Sequence, residues 1–365
     1  VIDPISDSNL RDIPSLRLHN QQISGTGYRK PGELIKHLAA VQAQDYAGAK
    51  WSIGLRLPDA NDSDVEKAIA ERTIVRTWLM RGTLHFVAAE DIHWMLELVA
   101  ARIIAGSATR HKSLGLDEGI FAHCKDIFVN ALRGGEQLTR DEMYAVLENA
   151  NISTTGQRGY HILWWAALDG LICFGPQDGK QQTFVLLKEW VPKSRSLERD
   201  EALAELAWRY FTSRGPATLQ DFVWWSGLKV TDARTGLKAV ASQLEQLIVD
   251  GQIYWMAADI ANVFEKMQKI YLLPGFDEYM LGYKDRAAIL DPQYSNQIVP
   301  WNNGMFSPTI VMDGRIAGTW RRTFKRGSVI ITPQPFVEFA EAEKKEFSKA
   351  AEHYGRFLEM PVIIE

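Results

Sequence analysis

At 365 residues the chain is long enough for two or three domains, each with its own core. Its 46% apolar and 24% charged residues are ordinary for a globular protein, and a net charge of −4 excludes a surface that is basic all round. No run of about 18 apolar residues offers a membrane span, and residues 1–7 lack the basic and apolar regions of a secretory signal. Cys124 and Cys173 are the only cysteines, with no CxxC and no Cys/His cluster at ligand spacing. They read as buried reduced thiols of a cytosolic chain that uses neither a metal nor another cofactor.

In chain order, residues 15–41 read as two helices, with Leu34, Leu38 and Val41 on one helical stripe. Residues 62–70 read as a third helix, capped by Asp62 or Ser63. Residues 75–80 and 83–87 then read as a hairpin turning at Arg81-Gly82, where Gly permits the φ > 0 of a tight turn. Helix, helix, helix, hairpin is the order of a winged helix. The same order returns with helices at 116–132, from Thr139, and at 159–168. Thr139 and Glu142 form a capping-box signature. A hairpin at 171–174 and 183–187 completes this second unit. A third begins with a helix at 197–213, broken by Arg214-Gly215-Pro216, and another starting at Thr218-Leu219-Gln220-Asp221 with a cap of the same kind. A helix at 235–249 follows, with Leu237, Val240, Leu244, Leu247 and Ile248 on its stripe. Segments 253–256 and 270–273 are expected to pair as its wing.

From Pro274 onward Gly and Pro become frequent, and 309–312, 315–320 and 328–332 alternate like strands. Asp313-Gly314 is a hairpin-turn signal between two of them. The expected fold is α+β and mainly helical. Three tandem winged-helix units occupy 1–105, 106–195 and 196–273. A β-rich, barrel-like region with a terminal helix fills 274–365.

The pattern Gln42-Ala43-Gln44 places two carboxamides one residue apart. That spacing puts them on opposite sides of a strand and about 200° apart on a helix, so convergence on one ligand requires an irregular or extended backbone. A Gln both donates and accepts hydrogen bonds without charge, which suits holding a water or a polar base edge. Further motifs follow in order: Arg76 to Phe86, then Leu273-Pro274-Gly275-Phe276-Asp277-Glu278-Tyr279. Asn303-Gly304-Met305-Phe306-Ser307-Pro308 and Gly318-Thr319-Trp320-Arg321-Arg322 come last. This ordered set resembles the AlkZ/YcaQ-type winged-helix DNA glycosylases, bacterial enzymes that excise alkylated bases and can unhook interstrand crosslinks. The likeness runs from about residue 16 to about residue 339. It implies tandem winged helices around a DNA channel and catalysis by Gln42 and Gln44. The YcaQ branch has Asp in the second position, so this chain resembles the double-Gln branch. The implied partner is double-stranded DNA carrying alkylated bases or crosslinks, bound by a monomer associated with the cytoplasmic nucleoid.

Asp45 is a candidate supporting base or a helix-end hydrogen-bond acceptor. Arg76, Arg81 and His85 flank the first hairpin turn with Trp78 among them, a mixture suited to phosphate contact and stacking. A hairpin that buries Trp78 and leaves the arginines solvated is the competing reading. Arg321, Arg322 and Lys325 belong to a stretch from Arg315 to Arg326 with no acidic residue, a basic stripe that can meet phosphates. Asp277 and Glu278, adjacent and so on opposite faces of a strand, are not expected to share one acid–base site, and one of them is expected to pair with a local Arg. Gly25-Thr26-Gly27 lacks the context of a nucleotide-binding loop. Two other functions fit the winged-helix pattern: a non-catalytic DNA-binding regulator, and a protein-interaction scaffold indifferent to DNA.

Overall fold

The computed structural model describes residues 9–25, 27–258 and 269–365. The N-terminal reading at 1–7 and Thr26 therefore lie outside the described residues. The fold is α+β, and it divides into two compact units, the second inserted in the sequence of the first: residues up to Val65 together with Leu203–Glu365, and Glu66–Ala202.

The first unit opens with α1 (Asn9–Asn20) and α2 (Pro31–Leu38). Pro31 stands at the first turn of α2, where its missing N–H costs nothing, and Leu34, Ile35 and Leu38 form the buried face. The helix stops at Leu38, short of the expected Val41. Ala39 takes φ 60° and ψ −52°, and the chain leaves as β1 (Ala40–Gln42). The helical spacing of apolar residues thus ran past the true helix end, because a strand can bury Val41 equally well. Next comes α3 (Tyr46–Leu55), buried throughout from Gly48, and α4 (Asp62–Ala70), within which the units divide. The cap of α4 is Asn61 rather than Asp62 or Ser63: its side chain accepts from Asp64 N (2.9 Å), while Asp64 accepts from Asn61 N (2.9 Å).

The inserted unit contains β2 (Ile74–Trp78), β3 (Leu84–Ala88), α5 (Ile92–Gly106), α6 (Ala108–Ser113) and α7 (Glu118–Leu132). It continues with β4 (Leu138–Thr139), α8 (Arg140–Asn149), α9 (Arg158–Leu168), β5 (Ile172–Asp178), β6 (Gln181–Leu186) and α10 (Leu187–Trp190). The capping box at Thr139 and Glu142 is present. Here the two expected hairpins join: β2 pairs β3 on one side and β5 on the other, through Arg76 and Phe174, giving the order β3-β2-β5-β6-β4. Shared pairing explains why this compact unit runs across residue 105. Cys124 and Cys173 are both free and buried here, and burial raises both thiols, Cys124 to about 11, which makes them unreactive.

The chain returns to the first unit through α11 (Arg199–Arg214), α12 (Leu219–Ser226) and α13 (Val230–Val240). The strands β7 (Leu244–Val249) and β8 (Gln252–Ala257) form a hairpin, so residues 244–249 are strand and not helix. Asp250-Gly251, with φ 49° and 76°, makes the two-residue turn. The expected wing pairing of 270–273 also fails. β9 (Ile270–Leu273) lies instead in a curled five-stranded sheet of order β13-β12-β11-β10-β9, paired with β10.

After β9 come the short α14 (Glu278–Leu281) and α15 (Ser295–Ile298), and the sheet resumes with β10 (Thr309–Met312), β11 (Arg315–Lys325) and β12 (Ser328–Pro335). Asp313-Gly314 turns β10 into β11 with φ 47° and 79°. Then α16 (Glu341–Leu358) leads to β13 (Val362–Ile364), which pairs parallel to β12. The core beneath is aromatic: Trp51 of α3 donates to the Leu272 carbonyl (2.8 Å) and Trp320 to that of Leu273 (2.8 Å), while both rings meet Tyr354 of α16 edge-on. Among the described residues no helix is long and apolar enough to cross a membrane.

Candidate active site

The glutamine pattern lies where the backbone changes character. Gln42 ends β1 and is 7% exposed, whereas Gln44 is exposed in the bend before α3. The backbone is extended as far as Gln42 and bends at Gln44 and Asp45. Gln42 is buried and Gln44 is exposed to solvent.

Buried charges hold this segment. The amide of Gln42 donates to Glu278 Oε1 (2.8 Å). The other oxygen of Glu278 accepts from Arg214 Nη2 (2.6 Å), Arg214 Nε (3.2 Å) and Trp225 Nε1 (2.8 Å). Arg214 also donates to the carbonyls of Leu38 (2.8 Å) and Ala40 (2.8 Å). Its neighbouring acid makes a separate pair: Asp277 caps α14 and binds Arg56 (2.9 Å), which in turn reaches Gln21 and Ser52. Asp277 and Glu278 thus share no site, and both of them, rather than one, stand in ion pairs, at the start of a helix and not on a strand. Their partners are distant in sequence, and neither is in the basic stretch at 315–326. Burial pushes the Asp277 carboxyl upward, but the Arg56 charge and bonds from Arg56, Ser52 and the Tyr279 amide outweigh it and leave it below the usual range.

Asp45, at the position before α3, makes no cap with its side chain. Its Oδ2 lies 3.1 Å from Arg322 Nη2, and Arg322 also donates to the Tyr354 hydroxyl (3.0 Å). A Cβ at Gly48 would stand 2.5 Å from that same Asp45 oxygen, so glycine leaves room for the carboxylate over the first turn. Arg322 shares the inward face of β11 with Trp320, while Arg321 and Lys325 alternate outward and are exposed. Of the sequence-derived candidates, Gln42, Gln44, Asp45 and Arg322 therefore fall on adjoining segments. Arg321 and Lys325 occupy a separate, solvated face.

The remaining candidates sit in the inserted unit. Arg76 is 6% exposed, bonds Gln182 (3.0 Å) and lies over the Phe174 ring. Trp78 is 5% exposed and packs against Tyr160, Phe174 and Phe184. His85 is fully buried and its Nδ1 meets the Thr83 carbonyl at 2.9 Å. Arg81, half-buried, occupies the turn at φ 57°. Sequence reasoning missed Arg214, read only as part of a helix break, and did not single out Trp225. No spacing rule relates them to Gln42. Among the described residues, no three His, Cys, Asp or Glu side chains gather as a metal-ligand group.

The family model of the AlkZ-like DNA glycosylases matches residues 35–357. An interstrand DNA cross-link repair glycosylase of Streptomyces sahachiroi is 27% identical over 365 residues, covering 95% of each chain. The solved structure of Streptomyces sahachiroi DNA glycosylase AlkZ is similar throughout, with a TM-score of 0.79 at 25% identity over 97% of this chain and 99% of that one. With Gln42 at the end of an ion-pair-anchored strand and Gln44 in the bend that follows, this chain belongs to the AlkZ-like DNA glycosylase family.

Proposed function

We propose that this chain is a monofunctional glycosylase that removes bulky or crosslinked N-alkylated purines from duplex DNA by attack of water at C1′. Gln42 and Gln44 are its catalytic residues in this reading. The bond between C1′ and the base nitrogen breaks, the pair of electrons leaves with the base, and a cationic N7-alkylpurine departs neutral. The oxocarbenium-like sugar takes up water and releases a proton. Because the leaving group already carries a positive charge, it requires no protonation, and carboxamides that orient the water are sufficient. Orientation of this kind contributes several kcal/mol, about 7 or more at best.

The observation that carries the reading is the extended strand bearing Gln42, anchored by buried charge, followed immediately by the outward Gln44 and Asp45. The Streptomyces relative repairs interstrand cross-links, which supports crosslinks among the substrates. The finer architectural reading is that the three helix-and-hairpin groups act as winged-helix units within 1–105, 106–195 and 196–273, ahead of the β-rich 274–365. The enzyme acts in this reading as a metal-independent monomer at the cytoplasmic nucleoid. Arg321 and Lys325 meet phosphates, and the hairpin bearing Arg76, Trp78, Arg81 and His85 supports the DNA-facing surface.

The test is release of free modified base from duplexes carrying N7- or N3-alkylated purines, with a chelator present throughout. Expected products are the free base and an abasic strand that persists until cleaved separately. Tight binding to every such duplex without release of any base would overturn the proposal.

A further inference from the structure

Two buried ion pairs stand side by side at Asp277 and Glu278, and only one of them grips the glutamine segment. Both side chains of each pair are 0% exposed. Desolvation offsets most of the attraction within such a pair, so it is weak evidence of a gain in stability. What the two pairs fix is more informative. Arg56 and Asp277 tie α3 to Gln21 and α14. Arg214 and Glu278 instead bracket Ala39, a non-glycine residue at φ 60° and ψ −52°, close to the strained γ-turn conformation. Arg214 holds the carbonyls on either side of Ala39, and Glu278 holds the amide of Gln42. Strain of this kind persists only where the surrounding structure over-determines it, and such residues cluster at functional sites.

We propose that Arg214 and Glu278 are positioning residues for base excision. They convert the end of α2 into the extended strand that sets Gln42 and Gln44, and Trp225 fixes the Glu278 carboxylate through its indole N–H. This rests on the catalytic reading of the two glutamines. The pair touches no substrate. It acts through the backbone between Leu38 and Gln42, where breaking one of these hydrogen bonds lets the Ala39 turn relax and moves the carboxamides off the water.

The test uses the full chain on an N7-alkylated duplex, measuring single-turnover excision, duplex affinity and melting temperature. Glu278→Gln and Arg214→Lys are expected to slow excision at least about tenfold while affinity stays within about threefold, all at a temperature where each variant is folded. Asp277→Asn, which breaks the equally buried sister pair, is the matched control. It is expected to lower the melting temperature comparably yet keep excision within about threefold of wild type. Excision by Glu278→Gln and Arg214→Lys at the rate of Asp277→Asn would show that the pair is only structural.

Trp225→Phe keeps an aromatic side chain, smaller than the indole, and removes the N–H that Glu278 accepts, so it serves if the charge variants do not fold. Faster exchange of the Gln42 amide together with slower excision is expected, and no change in either overturns the proposal. Gln42→Ala separates the two levels. Wild-type excision by that variant removes the underlying catalytic reading, whereas lost excision there beside normal excision in Glu278→Gln removes only the positioning role.

Discussion

A carboxamide has no charge to offer the transition state, so its contribution depends on where it is held. Replacing Gln42 or Gln44 by Ala is expected to leave fold and duplex affinity intact while slowing single-turnover excision at least about tenfold, or about 1.4 kcal/mol in barrier. On the proposed mechanism the double substitution should be less than additive, because two groups that orient one water act as a unit. Gln44→Asp is expected to retain measurable excision with an altered lesion preference, since on the proposed mechanism it places a negative charge near C1′. Wild-type rates in both alanine variants would move attention to Asp45, which already lies 3.1 Å from Arg322. Trp78 poses the opposite question. At 5% exposure and against three aromatic rings it has the setting of a core side chain. Trp78→Ala is therefore expected to cost about 3–5 kcal/mol in denaturant unfolding. Unchanged stability with weakened DNA binding would return it to the DNA surface.

Alternation along a single strand separates roles that the sequence presented as one cluster. On β11, Arg322 turns inward to Asp45 and Tyr354, while Arg321 and Lys325 face solvent. The joint substitution of Arg321 and Lys325 by Ala is expected to weaken binding to damaged and undamaged DNA alike. The slope of log K against log salt should fall by roughly 0.9 for each phosphate no longer neutralised. An unchanged slope would identify a solvated face. The third helical group shows how far element-scale reading reaches. Its capping residue Thr218 and the end of α11 at Arg214 were legible, because caps and Pro act locally. The segment 244–249 was misread because Leu244, Leu247 and Ile248 also satisfy helical spacing. Pairing with β8 across Asp250-Gly251 decided the matter.

Across the whole molecule, several histidines are held neutral by burial. Desolvation lowers the pKa values of His19, His37, His111 and His161, and takes His353, with a smaller contribution from Arg356, down to about 4. Unfolding restores each to about 6.5, so between these values the unfolded chain binds more protons. Stability is thus complete above about pH 6.5 and declines as the pH falls toward 4, with up to about 3 kcal/mol of the loss due to His353. Asp277 acts in a lower window: its stabilisation is present above the unfolded value of about 3.9 and disappears as the pH falls through its depressed folded value. Melting temperatures measured between pH 7 and 5 should fall, and His353→Gln should flatten that fall. A pH-independent melting temperature over this range would contradict the buried-neutral assignment.

The sequence by itself determined what local chemistry and ordered motifs can carry: the capping boxes at Thr139 and Thr218, the turns at Arg81-Gly82 and Asp313-Gly314, the family, and the glutamine pattern with its need for extended backbone. Each of these depends on residues a few positions apart, or on their order along the chain. Tertiary structure alone decided which strands pair, and therefore that β2 and β5 share a sheet and that β9 joins β10 rather than a wing. It alone also decided that Gln42 is held by Glu278, 236 residues away, while Arg214 reaches Leu38 and Ala40 across 176 and 174. Backbone carbonyls are common to every residue type, and amide N–H groups to all but proline. A side chain that recognises them leaves no mark in the sequence of the segment it holds, and only the folded chain brings the two together.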